Sequence, residues 1–234
     1  MNEEEKKKLT EEVNKIIQSR FEFIYRNYLL IRDAYKNDYY WPELDPLRDE
    51  ICLSIMFGLC QAAITLTNHF LESLLKNALI ILNGKDKKEK EEDIKGRIIT
   101  SFMKKYEEGI GLYGNAKLNK TINCACSVGL ITKEQKEQLH QFRERFRNAY
   151  SHADKTKTFG KSTMPVAGLK FENTEFKLVE KGEPEIANFL IGQGLVQAIM
   201  AQNDAPRYFL YIDRLARDIR MRLFGSIDNN SHED

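Results

Sequence analysis

Apolar residues recur at intervals of three and four along most of this 234-residue chain, a period that predicts helices. The first helix is expected from Glu3 to about Lys36. Val13, Ile16, Ile17, Phe21, Ile24, Tyr28 and Ile31 share one of its faces, and a Thr-Glu-Glu run at Thr10 can cap or continue it. Trp41-Pro42 and Asp45-Pro46 break helix between Asn37 and Pro46. Leu47 to about Asn83 is the longest apolar-periodic segment, expected to be one central helix ended by Gly84. Lys85 to Asp93 is nearly all charge and reads as a solvated loop or helix start rather than a phosphate-binding strip. A helix from about Glu92 to Glu107 leads to Gly109, Gly111 and Gly114, an expected irregular turn. Their spacing and context do not match a nucleotide-binding glycine loop. A short helix spans Lys117 to Val128.

Thr132-Lys133-Glu134-Gln135 forms a capping box that opens a helix from Lys133 to about Ala153. Residues 155–184 mix Gly160, Pro165, Gly168 and Gly182 with Phe171, Phe176, Leu178 and Val179, which predicts a small β-hairpin or an ordered loop. Helices resume at Glu185–Gln202 and at Pro206–Phe224, with Pro206 suited to a first turn. Ser226 to Asp234 reads as a disordered tail. The pattern predicts an all-α fold, a single helical domain over residues 1–225. Residues 1–46 form its N-terminal helix and loop, and 155–184 an insertion.

Composition narrows the functional classes. With 36 basic and 35 acidic side chains, the net charge is +1, so nucleic acid must be met by a local basic patch rather than a whole-protein field. Cys52 and Cys60 fall in an apolar helical pattern and read as buried thiols. Cys124-Ala125-Cys126 lacks the spacing of a zinc knuckle, and no second pair answers it. No metal site and no cofactor are expected, and free thiols suit a reducing compartment. Met1 to Lys8 is polar, unlike a signal peptide, and the run Ile51–Leu66 is shorter than the ~20 residues of a membrane span. A cytoplasmic protein without membrane contact is the expectation.

The densest chemistry lies in Arg147-Asn148-Ala149-Tyr150-Ser151-His152. On a 100° helical wheel Leu139, Phe142, Phe146, Ala149, Tyr150 and Ala153 make the core face. Asn148 and His152, four apart, stack away from it. Arg147 lies on the other flank, within reach of its long side chain, and Arg143 and Arg145 add charge nearby. One helix supplies only part of a site, so the same helix of a second protomer is the natural closure. On the long helix, His69 and Glu72 are three apart. Glu72 pointing into the bundle would pair with Arg147, although a polar stripe at an interface or toward solvent explains the two residues more simply. His140 reads as an exposed surface residue. Lys155, Lys157 and Lys161, with Thr156 and Phe159 between them, either track an RNA backbone or solvate a loop, the second being favoured.

Arg147, Asn148 and His152, in the run FRNAYSHAD from Phe146 to Asp154, resemble the HEPN superfamily, whose motif is Arg, four to six residues, then His, with a polar residue after the Arg. The resemblance implies a helical bundle that dimerises and, in many members, a metal-independent endoribonuclease of toxin–antitoxin or phage-defence systems. Asp154 stands where one group carries a modified tyrosine, so that regulation is not expected. RNA carries its own nucleophile, the 2′-hydroxyl. His152 would be the general base or acid, Arg147 would stabilise the phosphorane, and Asn148 would position. Glu72, His69, Ser151 and Arg143 are supporting candidates. The products would be a 2′,3′-cyclic phosphate and a 5′-hydroxyl. The expected partners are RNA, a second protomer completing the site, and an antitoxin or defence-system protein. The alternative is a non-catalytic HEPN-like module that binds a nucleotide, RNA or a protein in the same cleft. Arg, Asn and His near a helix end also occur without any function, because the dipole favours basic groups there.

Overall fold

The computed structural model describes residues 1–37, 41–85, 98–148, 161, 163, 166–172, 175–182 and 193–225. Helix α1 spans Glu3–Lys36, α2 Asp45–Met56, α3 Cys60–Lys85, α4 Ile98–Tyr113, α5 Leu118–Ser127 and α6 Lys133–Phe142. A π-helical segment, Arg143–Asn148, continues α6. Strands β1 (Val166–Glu172) and β2 (Glu175–Gly182) pair antiparallel with a bulge between Val166 and Gly168. Helix α7 spans Gln193–Phe224. The described chain is predominantly helical with one hairpin, inside the segment expected to hold a hairpin or loop. The charge run after Lys85, the start at Glu185 and the tail from Ser226 fall outside the described residues.

Helix α3 is the centre of the core. Its Ile64, Phe70, Leu71, Leu74 and Leu75 are fully buried, together with Ile51 and Ile55 of α2 and Phe209, Ile212 and Ile219 of α7. Helices α3 and α7 run the same way: Tyr208 donates to Asn68 at 2.9 Å, and further on Lys85 lies over the Phe224 ring. Helix α1 runs against α2, its Asn27 amide donating to the Ile55 carbonyl and its Asn37 carbonyl accepting from Arg48. Among the described residues, no helix is long and apolar enough to cross a membrane.

A polar knot locks these helices together. Arg48, buried on α2, meets Asp213 of α7 at 2.8 Å, and Arg217 binds the other Asp213 oxygen at 3.1 Å. Both arginines also donate to the Asn37 carbonyl, at 3.0 and 2.7 Å, which pins the end of α1. The ion pair is enclosed, so its desolvation is offset only because each oxygen has a donor.

Four expectations are corrected. The predicted helix Leu47–Asn83 is two helices, broken at Phe57-Gly58-Leu59. Gly58 adopts φ +75°; its N–H bonds the Ile55 carbonyl and that of Leu59 bonds Ser54, a left-handed helix end. The apolar period runs on either side of this turn, so periodicity alone joined the two helices. Gly109 and Gly111 lie inside α4 rather than in an irregular turn. A Cβ on Gly109 would come within 3.1 Å of the Ile80 Cα, so this glycine allows α4 to lie close on α3. Pro206 is not a helix start but lies within α7. It has no N–H for the Gln202 carbonyl, and the packed helix tolerates that loss. Finally, the helix expected to run to Ala153 turns π-helical at Arg143, and the chain from Ala149 lies outside the described residues.

Candidate functional site

The widened turn at Arg143–Asn148 decides where the motif arginine goes. In α geometry Arg147 is turned away from Phe142. The i→i+5 hydrogen bonds bring residues five apart nearer to one side of the helix than α geometry does, which turns Arg147 toward the side of Phe142, the core side. Aromatic packing accompanies the turn. Phe142 stands 5.0 Å from the rings of both Tyr208 and Tyr211, and Phe146 stands 4.5 Å from Tyr208. The capping box expected at Thr132 opens the helix, with Thr132 and Gln135 bonding each other's backbone.

Arg147 is a third exposed, and its Nη2 lies 3.4 Å from Oε2 of Glu72. The other Glu72 oxygen accepts from Lys76, one turn along α3, at 3.0 Å. Two cations therefore share one carboxylate. The Arg147 charge also reaches Tyr208 beneath it: burial pushes the tyrosine hydroxyl's pKa well up, and Arg147 pulls against that shift. Tyr208 donates to Asn68 Oδ1, while Asn68 Nδ2 is buried and meets no hydrogen-bond partner among the described residues. An orphaned amide donor in the polar layer below Arg147 is a feature that sequence reasoning missed. The only signal was an asparagine inside the most apolar helix.

The other candidates divide. His69 is exposed on α3, one turn before Glu72. Arg143 is directed to its neighbour Glu144 at 2.6 Å rather than to Arg147's carboxylate. It stands near enough to His140 to disfavour the charged ring. His140 itself, expected on the surface, is half-buried, with Nε2 3.4 Å from Asn123 Oδ1. Burial first, then Arg143 and Lys136, push its pKa down. Arg145 grips Asp204 with one nitrogen at 2.7 and 2.8 Å and crosses the Phe146 ring. Lys161 is exposed. Ser151, His152, Lys155 and Lys157, and the side chain of Asn148, lie outside the described residues.

The described part of the site is thus a guanidinium held from a second helix, able to bind an anion on its open side. Each arginine of the π-helical segment meets a carboxylate, which moderates the positive charge that Arg143-Glu144-Arg145-Phe146-Arg147 suggests on paper. Among the described residues no group of three or more His, Cys, Asp or Glu side chains could hold a metal ion. No family model matches the chain, and neither a curated protein nor a solved structure does.

Proposed function

We propose that this chain is a HEPN-type endoribonuclease that cleaves RNA without a metal. The observation that carries the reading is Arg147, anchored by Glu72 across 75 positions of sequence while a third of its surface stays open. Glu72 holds the guanidinium from a second helix, so it is in position before an anion arrives. Arg147 would bind a non-bridging phosphate oxygen. His152 would take the proton of the ribose 2′-hydroxyl, whose oxygen attacks phosphorus. The bond to the 5′-oxygen then breaks, and that oxygen leaves as a hydroxyl by taking the proton that the imidazolium now carries, which returns His152 to its neutral form. Asn148 would orient the phosphate or the imidazole. The ends would be a 2′,3′-cyclic phosphate and a 5′-hydroxyl. A second protomer would close the cleft, and an antitoxin or defence-system protein would restrain it.

The test is incubation of the pure protein with a mixed RNA pool in EDTA, beside His152→Ala and Arg147→Ala. Cleavage lost in both variants, with cyclic phosphate at the new ends, supports the reading. Cleavage that persists in both, or that yields 5′-phosphate ends, refutes it.

One observation favours the second reading, a non-catalytic module that binds RNA, a nucleotide or a protein. The paired arginines leave little free positive charge on the π-helical segment. Saturable RNA binding that depends on Arg147, without cleavage at high protein concentration, would select it.

A further inference from the structure

Two polar rungs leave the same face of α3, one helical turn apart. The outer rung is Glu72, which holds Arg147. The inner rung is Asn68, whose Oδ1 accepts from the Tyr208 hydroxyl of α7 at 2.9 Å. Both Asn68 and Tyr208 are buried. The Tyr208 ring is in turn the seat of the π-helical turn: Phe142 meets it edge-on at 5.0 Å, and Phe146 lies tilted on it at 4.5 Å. Helix α3 therefore reaches Arg147 twice, directly through Glu72 and indirectly through Asn68, Tyr208 and Phe146. Packing alone does not explain the asparagine. It stands in the most apolar helix, with Ile64, Leu71 and Leu75 fully buried within two turns of it. Its Nδ2 meets no hydrogen-bond partner among the described residues. A buried donor left unpaired costs stability, and an apolar pair of the same shape at positions 68 and 208 would avoid that cost.

What the polar pair supplies is a fixed point. Aromatic contacts let a ring slide and turn, whereas one buried acceptor sets where the hydroxyl lies. The π turn needs such a point. Six residues in π geometry continue a helix that could run on in α geometry, and the α alternative turns Arg147 away from the side of Phe142. We propose that Asn68 is a positioning residue of the Arg147 site. By anchoring the Tyr208 hydroxyl it fixes the ring on which Phe142 and Phe146 rest, keeps the π turn, and so brings Arg147 to Glu72. Asn68 acts through the arginine and is not itself a catalytic residue. Its part in RNA cleavage rests on the proposed function, whereas its hold on Arg147 does not.

The full chain carrying both Asn68→Leu and Tyr208→Phe tests the proposal, because it removes both polar groups and keeps the shapes. Its thermal transition should match or exceed that of the wild type, since the unpaired donor is gone. In protein labelled with nitrogen-15 arginine, nuclear magnetic resonance shows the Arg147 Nε–H signal, identified by its loss in Arg147→Ala. The wild-type signal should lie apart from that of a free arginine side chain, and in the double variant it should move to the free position. RNA cleavage in EDTA should fall roughly 10- to 100-fold, and the two substitutions should cost nothing further in the Arg147→Ala background. Tyr208→Phe alone removes the same hydrogen bond and keeps the ring, so it should move the Arg147 signal the same way, and it decides the point if the double variant folds poorly. An Arg147 signal unchanged in a folded variant, or cleavage at the wild-type rate, overturns the proposal. A wild type that cleaves no RNA refutes the proposed activity, and the resonance shift still decides the role of Asn68.

Discussion

Glu72 and Arg147 meet at 3.4 Å across two elements that share no local sequence, and Lys76 takes the second Glu72 oxygen. The carboxylate sets where the guanidinium sits, and at a quarter to a third exposed the pair stays wet. It acts as a positioning device more than as a stabilising one.

Glu72→Gln should therefore separate position from stability. Loss of an exposed pair of this kind changes unfolding free energy by about 0–1 kcal/mol. If Arg147 binds phosphate, loosening it should lower RNA cleavage roughly 10- to 100-fold, and Arg147→Ala about 100-fold or more. The double variant should be no worse than Arg147→Ala, because Glu72 acts only through the arginine. Cleavage rates that multiply in the double variant would show an independent role for Glu72.

The buried pair Arg48–Asp213 should behave in the opposite way. Arg48→Ala leaves Asp213 enclosed with one of its two arginines gone and frees part of the Asn37 carbonyl's bonding. Breaking one side of such a pair costs about 3–5 kcal/mol. For a domain of this size that is a fall in Tm of roughly 10 °C. Thermal unfolding measured by circular dichroism decides the point, and a fall of only a degree or two would mean that the knot is not enclosed in solution.

The contrast between these two ion pairs shows what could be read from the chain beforehand. The helix period was legible, because α1 and α5 need only their own side chains to declare themselves. The Thr132 capping box was legible for the same reason. The break at Gly58 was written in the sequence, yet the apolar period on either side masked it. The π-helical turn was not legible: it follows from Phe142 and Phe146 packing on Tyr208, which lies some sixty residues further along. The knot of Arg48, Asp213 and Asn37 is also non-local, and nothing near Arg48 announces that it will be buried. Of the site, the sequence offered residue types, with Glu72 as one partner among alternatives. The Asn68–Tyr208 layer beneath Arg147 emerges only when α3 and α7 lie side by side.

Gly58→Ala should weaken the joint between α1 and the domain. A residue with a Cβ at φ +75° costs about 1–2 kcal/mol, and here the Cβ would also run into the Phe23 ring. In the Phe23→Ala background the steric part disappears and the conformational part remains. Denaturant unfolding of the two single variants and the double variant should therefore show a cost smaller than the sum of the singles.

Cys52 should be inert to thiol reagents until the protein unfolds. Burial raises its pKa to about 12, against the pull of Arg48, so the thiolate that reacts is scarce at any ordinary pH. Cys60 is buried and raised as well, whereas Cys124 and Cys126 are half-buried. A chromogenic disulfide reagent should first modify Cys124 and Cys126 in the native protein, and all four thiols in denaturant. Peptide mapping of the early product would refute this order if it found Cys52.

The pH dependence of stability should carry a signature of His140. Its folded pKa lies below the usual 6.5, because burial, Arg143 and Lys136 disfavour the imidazolium, with Glu144 opposing. Below about 6.5 the unfolded chain then binds more protons at this ring than the folded chain does. The stability that the neutral ring contributes is complete above that pH. It is lost progressively as the pH falls toward the folded pKa, below which both states are charged and the loss levels off. His140→Gln keeps a side chain that can face Asn123 but cannot titrate. Urea midpoints taken between about pH 7.5 and 5.5, a window that spans an ordinary histidine, should fall less steeply in the variant than in the wild type. Equal slopes would mean that His140 titrates alike in the folded and unfolded chains, and that its place between α5 and the start of the motif segment is open to water.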